Sequence, residues 1–131
     1  MPIDQVLLNN YCQNNSSQNN AYLAEIERNI ALLSADPSLS SDFAQGRILS
    51  LISKLLKPSY ILEIGTFLGY ATICLSEGLC EGGIIHSLEK NEDYKEQITH
   101  HISLAKASKK VKIFYGSALD TLAHLDLNLY D

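Results

Sequence analysis

The chain has little that could hold it together through covalent or metal cross-links. Its three cysteines, Cys12, Cys74 and Cys80, are odd in number, widely spaced and without a C-x-x-C pair, so neither a disulfide framework nor a thiolate metal site follows. Three reduced, mostly packed thiols are expected. His86, His100, His101 and His124 contain no H-x-x-x-H pair, and neighbours on a helix point about 100° apart, so packed or surface histidines are expected and no metal ligand is assigned. No apolar run is long enough to cross a bilayer, and the N-terminus lacks the basic region and hydrophobic block of a signal peptide. A cytoplasmic protein with no membrane partner is the expectation. An excess of positive charge is also missing: the formal charge is −5 and the isoelectric point about 5.3. That balance disfavours nucleic acid and leaves small molecules as the expected partners. The one basic cluster, Lys106, Lys109, Lys110 and Lys112, reads as a solvated face before a strand.

What is present suits one globular domain. Of 131 residues, 46% are hydrophobic and 19% charged, enough to bury a core. Residues 4 to 12 suit a short helix, and Gln13 to Asn20, nearly all Asn, Gln and Ser, read as a connector. Leu23, Ile26, Ile30 and Leu33 recur at helical spacing over Ala21 to Leu33, and Asp36-Pro37 breaks the pattern. After a loop centred on Leu39, Ser41 or Asp42 can cap a helix running to about Lys57, where Pro58 ends it. Its apolar stripe, Ile48, Leu51, Ile52, Leu55 and Leu56, is expected to be the buried face. Strands follow at Tyr60 to Ile64, Ile84 to Leu88 and Val111 to Tyr115. Between them lie helices from about Gly69 to Cys80 and from an Asn91 cap to about Ala107, the latter burying Ile98, Ile102 and Ala105. A short helix over Ala118 to His124 comes next, and Leu129-Tyr130-Asp131 reads as the start of a fourth strand. Strands alternating with helices imply βαβ units and a parallel sheet. Residues 1–41 form an N-terminal helical extension and cap loop, and residues 42–131 an α/β domain.

The most informative stretch is Ile61 to Tyr70, I-L-E-I-G-T-F-L-G-Y. An apolar strand ends in a carboxylate and opens into a glycine-punctuated turn before a helix, as cofactor sites in α/β proteins do. The turn lacks the G-K-[ST] ending of a phosphate loop and the G-x-G-x-x-G spacing of a dinucleotide fingerprint, so a pyrophosphate ligand and nucleotide-dependent redox chemistry are poorly supported. S-Adenosylmethionine fits better, since it has a ribose and an adenine but no phosphate. Glu63 can attract its ammonium, directly or through water, while backbone N–H groups near the helix start receive its carboxylate. Glu89, closing the second strand, can accept hydrogen bonds from both ribose hydroxyls. Gly116-Ser117-Ala118 then lies beside the adenine, with the Ala118 N–H available to a ring nitrogen.

Q-G-R-I-L-S-L-I-S-K-L-L-K-P-S-Y-I-L-E-I-G-T-F-L-G-Y-A-T at Gln45 to Thr72, H-S-L-E-K-N at His86 to Asn91 and Y-G-S-A-L at Tyr115 to Leu119 resemble the motifs of class I S-adenosylmethionine-dependent O-methyltransferases of the catechol and caffeoyl-CoA type. The likeness covers about residues 36 to 131. It implies a Rossmann-like fold and assigns Glu63, Gly65, Thr66, Gly69, Tyr70 and Ala71 to the methionine side of the cofactor, Glu89 to the ribose and Ala118 to the adenine. Leu39 matches a loop position that reaches the cofactor from above. Ala71 stands where the family usually has Ser, so a hydroxyl for the cofactor carboxylate is missing, with Thr72 as a possible substitute. Ser117 stands where the family often has Asp.

The resemblance implies methyl transfer to a hydroxyl of a small catechol-like or acyl-CoA-linked acceptor, and a homodimer. The alternative is a non-catalytic cofactor-binding or association module. In the family a Y-D-x-x-F-x-D-A-x-K stretch continues from Tyr130-Asp131 and begins the site of a divalent metal such as magnesium. This chain is therefore expected to lack the metal and acceptor sites and to be truncated before the fourth strand. That would leave strand one as an open sheet edge, because the family pairs it with strand four. No catalytic residue is assigned.

Overall fold

The three apolar runs form parallel strands, β1 (Tyr60–Ile64), β2 (Ile84–Glu89) and β3 (Val111–Tyr115). The sheet order is β1-β2-β3 in a computed structural model that describes residues 4–18, 20–33 and 40–130. Glu63 lies opposite Ser87, Ile64 opposite Leu88 and Glu89 opposite Tyr115. Six helices accompany the sheet among these residues: α1 (Gln5–Asn14), α2 (Ala21–Leu33), α3 (Phe43–Leu56), α4 (Tyr70–Ser76), α5 (Lys95–Leu104) and α6 (Ala118–Leu122). Each parallel pair needs a crossover, supplied by α4 between β1 and β2 and by α5 between β2 and β3. Among the described residues β1 is a sheet edge, as expected for a chain without the family's fourth strand.

Caps fix where helices begin. The Asp4 carboxylate accepts from the Val6 and Leu7 N–H groups at 2.9 and 3.3 Å, and Asp42 accepts from the Gln45 N–H at 2.8 Å, so orphan donors of α1 and α3 are satisfied. Helix α1 reaches Asn14, taking in Gln13 and Asn14 from the polar stretch that reads as connector. Helix α2 buries Leu23, Ile26 and Ile30 against Leu68, Tyr70, Ile73 and Cys74, so this part of the extension shares its core with α4. The second cluster, Ile98, Ile102 and Ala107, packs with Val111, Ile113 and Tyr115. No helix among the described residues is long and apolar enough to cross a membrane.

Helix α3 presents the opposite face from the one its periodicity suggests. Phe43, Gly46, Ser50 and Ser53 are buried, whereas Ile48, Leu51, Ile52, Leu55 and Leu56 are exposed, from 47% at Ile52 to 73% at Leu55. Close approach and hydrogen bonding to α4 decide the matter. A Cβ on Gly78 would sit 2.1 Å from the Ser53 carbonyl carbon, so the two backbones touch where neither has a side chain between them. Ser53 Oγ donates to the Leu75 carbonyl and Ser50 Oγ to Glu77, both at 2.6 Å. Lys54 and Arg47 reach the same Glu77 carboxylate at 2.7 and 3.0 Å. Burial alone would raise the Glu77 pKa; these hydrogen bonds and the Arg47 charge outweigh it and leave the carboxyl below its ordinary value. Because the apolar stripe is exposed in the single chain, Leu55→Gln should change the stability of the monomer by no more than about 0.5 kcal/mol, against about 2–5 kcal/mol for truncating a buried leucine. Urea denaturation of the two proteins checks this.

Other boundaries differ at their C-terminal ends. Helix α4 stops at Ser76 and not near Cys80, because Gly78 is pressed against α3. A 3-10 turn over Glu92–Tyr94 precedes α5, with Asn91 accepting from the Asp93 N–H at 3.0 Å. Helix α6 ends at Leu122, two residues short of His124. In place of a fourth strand beginning at Leu129, Leu127–Leu129 form a 3-10 turn whose cap, Asp126, accepts from the Asn128 N–H at 3.1 Å; Asp131 lies outside the described residues. All three cysteines are free thiols. Burial pushes the Cys74 pKa up to about 11 despite the nearby Arg47, so its thiolate is scarce at neutral pH.

Candidate functional site

The carboxyl ends of all three strands open on one cavity of about 320 Å³, lined by Ile64, Gly65, Leu88, Glu89, Lys90, Gly116, Ser117, Ala118 and Leu119. Ligands of open α/β sheets bind at this end, where loops diverge from the strands. Gly65 (φ +91°) turns the chain out of β1 in a conformation that an L side chain would strain. Its N–H donates to the Leu88 carbonyl at 2.8 Å, which ties the turn to the end of β2.

Glu89 is the fixed point of the cavity wall. It is only 7% exposed; Oε2 accepts from the Phe67 N–H at 2.6 Å and Oε1 from the Asn91 N–H at 2.8 Å. One carboxylate thus joins the glycine turn to the loop after β2. Each oxygen still has acceptor capacity for a ligand hydroxyl.

Glu63 shares the sheet face of Glu89, since it is opposite Ser87 and side chains alternate with a period of two. It does not line the cavity. Thr72 Oγ1 donates to Glu63 Oε2 at 2.6 Å, Ser87 Oγ donates to the same oxygen, and Thr66 Oγ1 lies 2.6 Å from Ser87 Oγ. With Glu63 ionised, Ser87 donates a hydrogen bond to it and Thr66 donates to Ser87, a directed chain behind the cavity wall that Thr72 joins only at the carboxylate. Burial pushes the Glu63 pKa up against these hydrogen bonds, and the charge of Glu89 adds to the rise. Thr72 is fully buried and its one hydroxyl proton is committed to Glu63. The suggestion that it replaces the missing serine hydroxyl is therefore corrected.

The structure brings Gly65, Glu89 and Ala118 into one cavity and sets Thr66 and Gly69 in the turn beside it. Half-buried Ala71 lies in the first turn of α4. Tyr70 points elsewhere: its ring packs on Gly46 and its hydroxyl donates to Glu27 of α2 at 2.9 Å. Leu39 lies outside the described residues. Sequence reasoning did not single out Ser87, Lys90, Ile64, Leu88 or Leu119. Ser87 alone left a signal, a small polar residue two before Glu89 and so on the same sheet face, but its partner depends on strand register.

A glycine turn after the first parallel strand, an acid closing the second and a small-residue turn after the third define a Rossmann-like α/β domain. The chain belongs to the O-methyltransferase family, whose family model matches residues 13–129. It is 33% identical over 89 residues to a catechol O-methyltransferase of Niastella koreensis, covering 68% of this chain and 40% of that protein. It is 32% identical, with the same coverage, to a catechol O-methyltransferase of Mycobacterium tuberculosis. Among solved structures, the Bacillus cereus O-methyltransferase in complex with SAH superposes with a TM-score of 0.82 at 30% identity, over 90% of this chain and 53% of that one. The Streptomyces achromogenes O-methyltransferase involved in tomaymycin synthesis, in complex with SAM, gives 0.85 at 26% identity, over 95% and 57%. The chain thus spans less than two thirds of the length of these relatives.

Proposed function

We propose that this chain is the donor-binding part of an S-adenosylmethionine-dependent O-methyltransferase acting on a hydroxyl of a small, catechol-like or acyl-CoA-linked acceptor. The observation that carries the reading is the cavity in which Gly65, Glu89 and Ala118 meet. Glu89, already oriented by two backbone donors, takes the ribose diol. The Gly65–Gly69 turn takes the methionine end, with Glu63 behind it supplying negative charge toward the ammonium, and the Ala118 backbone takes the adenine beside Leu119. S-Adenosylmethionine held there would supply a sulfonium methyl group, a C–O bond to the acceptor forming as the methyl C–S bond breaks, with S-adenosylhomocysteine as the leaving thioether and the hydroxyl proton passing to solvent. Among the described residues no group of three or more His, Cys, Asp or Glu could hold a metal, so they do not fit one and no step is routed through it.

We extend the proposal to a cytoplasmic homodimer: three unpaired thiols suit a reducing compartment, and the exposed α3 stripe suits a second copy. A non-catalytic association module is the second reading, favoured by that stripe and the open β1 edge. Titration calorimetry with S-adenosylmethionine separates the two. Heat that saturates at one ligand per chain is expected; a folded chain that gives none overturns the donor-site reading.

A further inference from the structure

We propose that His101 is a positioning residue of the cofactor turn: its imidazole, clamped between Asn29 of α2 and the Leu68 carbonyl, holds the Leu68–Gly69 peptide in the orientation that shapes the donor site. This deepens the S-adenosylmethionine reading and rests on it. His101 is on α5 and fully buried. Nδ1 lies 2.8 Å from the Leu68 carbonyl oxygen and Nε2 lies 2.8 Å from the Asn29 amide nitrogen. A carbonyl only accepts, so Nδ1 carries the proton, and Nε2 then accepts from the Asn29 amide. Both ring nitrogens are satisfied in this arrangement by one species, the neutral Nδ1–H tautomer.

The contact matters because of what it holds. The Leu68 carbonyl and the Gly69 N–H belong to one planar peptide unit, and that N–H donates to the Thr66 carbonyl at 2.9 Å. His101 therefore fixes one side of the peptide and Thr66 the other, immediately before α4. One residue earlier, the Phe67 N–H is held by Glu89. The turn is thus tied at Phe67 to the group that takes the ribose and at Leu68 to the helical layer, through residues 33 and 72 positions apart from His101 in sequence.

Protonation would set an Nε2–H against the Asn29 N–H donor, so the bond that anchors the ring on α2 is lost in this arrangement. The titratable groups nearby are Glu25 on α2 and His100 on α5, whose Oε1 and Nε2 lie 3.3 Å apart. Burial lowers the His101 pKa against the Leu68 hydrogen bond; His100 lowers it further and Glu25 opposes. The folded value lies below the ordinary 6.5, so the clamp is complete above about pH 6.5 and is lost as pH falls through the folded value.

The test uses His101→Leu, which removes both bonds, and His101→Asn, whose amide can still donate to Leu68 but does not titrate. At pH 7, His101→Leu should weaken S-adenosylmethionine binding about tenfold or more, with His101→Asn recovering most of the loss. Between pH 7 and 5 the wild-type affinity should fall more steeply than that of His101→Asn, in which only the other titrating groups such as Glu63 remain. Wild-type affinity in His101→Leu, or the same pH curve for wild type and His101→Asn, overturns the proposal. If His101→Leu does not fold, the comparison of wild type with His101→Asn decides alone. Hydrogen exchange at the Gly69 amide gives a readout without ligand: protection should drop at low pH in the wild type relative to His101→Asn, and equal protection overturns the clamp. A wild type that binds no cofactor at any pH yet shows this exchange difference would sink the cofactor reading and leave the clamp standing.

Discussion

Replacing Glu89 with alanine is expected to weaken S-adenosylmethionine binding by about 100-fold or more, the largest ligand effect of any single change in this chain. Two contributions add. Hydrogen bonds from a ribose diol to a carboxylate are charge-assisted, each contributing about 1.5–3 kcal/mol, where 1.4 kcal/mol is tenfold in affinity. The alanine also leaves the Phe67 and Asn91 N–H groups without their acceptor, so the turn proposed to receive the methionine end loses its tie to β2. Glu89→Gln should fall between wild type and alanine, about tenfold weaker. Its amide nitrogen cannot accept, so either Phe67 or Asn91 meets a donor instead of an oxygen. Calorimetric titration of both variants, with thermal melts to confirm folding, checks the order. Alanine binding within a factor of about two of wild type would remove Glu89 from the site.

The largest expected stability effect is at Gly78. An alanine there would place its Cβ 2.1 Å from the Ser53 carbonyl carbon and 2.2 Å from the Lys54 nitrogen. Both are backbone atoms, so no side-chain rotation relieves the overlap and α3 must move off α4. That movement separates Ser50, Arg47 and Lys54 from Glu77. A cost of about 3 kcal/mol or more, and a fall in Tm of about 10 °C or more, is expected. Gly82 is the control: it has φ +77° but nothing within 4 Å of an added Cβ, so Gly82→Ala should cost only the left-handed strain, about 1–2 kcal/mol. Equal melts for the two variants would show that the α3–α4 contact is looser than the structure has it.

Both effects illustrate how much of this protein could be read along the chain. The strands were legible because buried parallel strands are short, nearly continuous apolar runs; β1 and β3 fall where their runs predict, and β2 extends one residue further to Glu89. Helix α2 was legible from its spacing, and its buried residues are three of the four in the pattern. Helix α3 was legible as a helix but not as to its face. Periodicity reports that an apolar stripe exists, whereas the side that meets α4 is chosen by Gly78, Ser50 and Ser53, small residues that hydropathy scores poorly. Leu129, expected to open a fourth strand, closes a 3-10 turn capped by Asp126, and the extended backbone begins at Tyr130.

For the site, Gly65, Glu89 and Ala118 follow from a general rule: residues closing successive parallel strands converge at the sheet's carboxyl end. Linear order was enough to bring them together. The commitments of Glu63, Thr66, Thr72 and His101 were not readable, because each depends on a partner placed by register or by helix packing. The amino-acid order by itself determined the strands, the turn chemistry and the family, since these arise from short-range preferences and fixed spacing. Tertiary structure alone decided which face of α3 is buried, which carboxylate lines the cavity and which histidine holds the turn, because distances between residues 20 to 70 positions apart are set only when helices and sheet pack together.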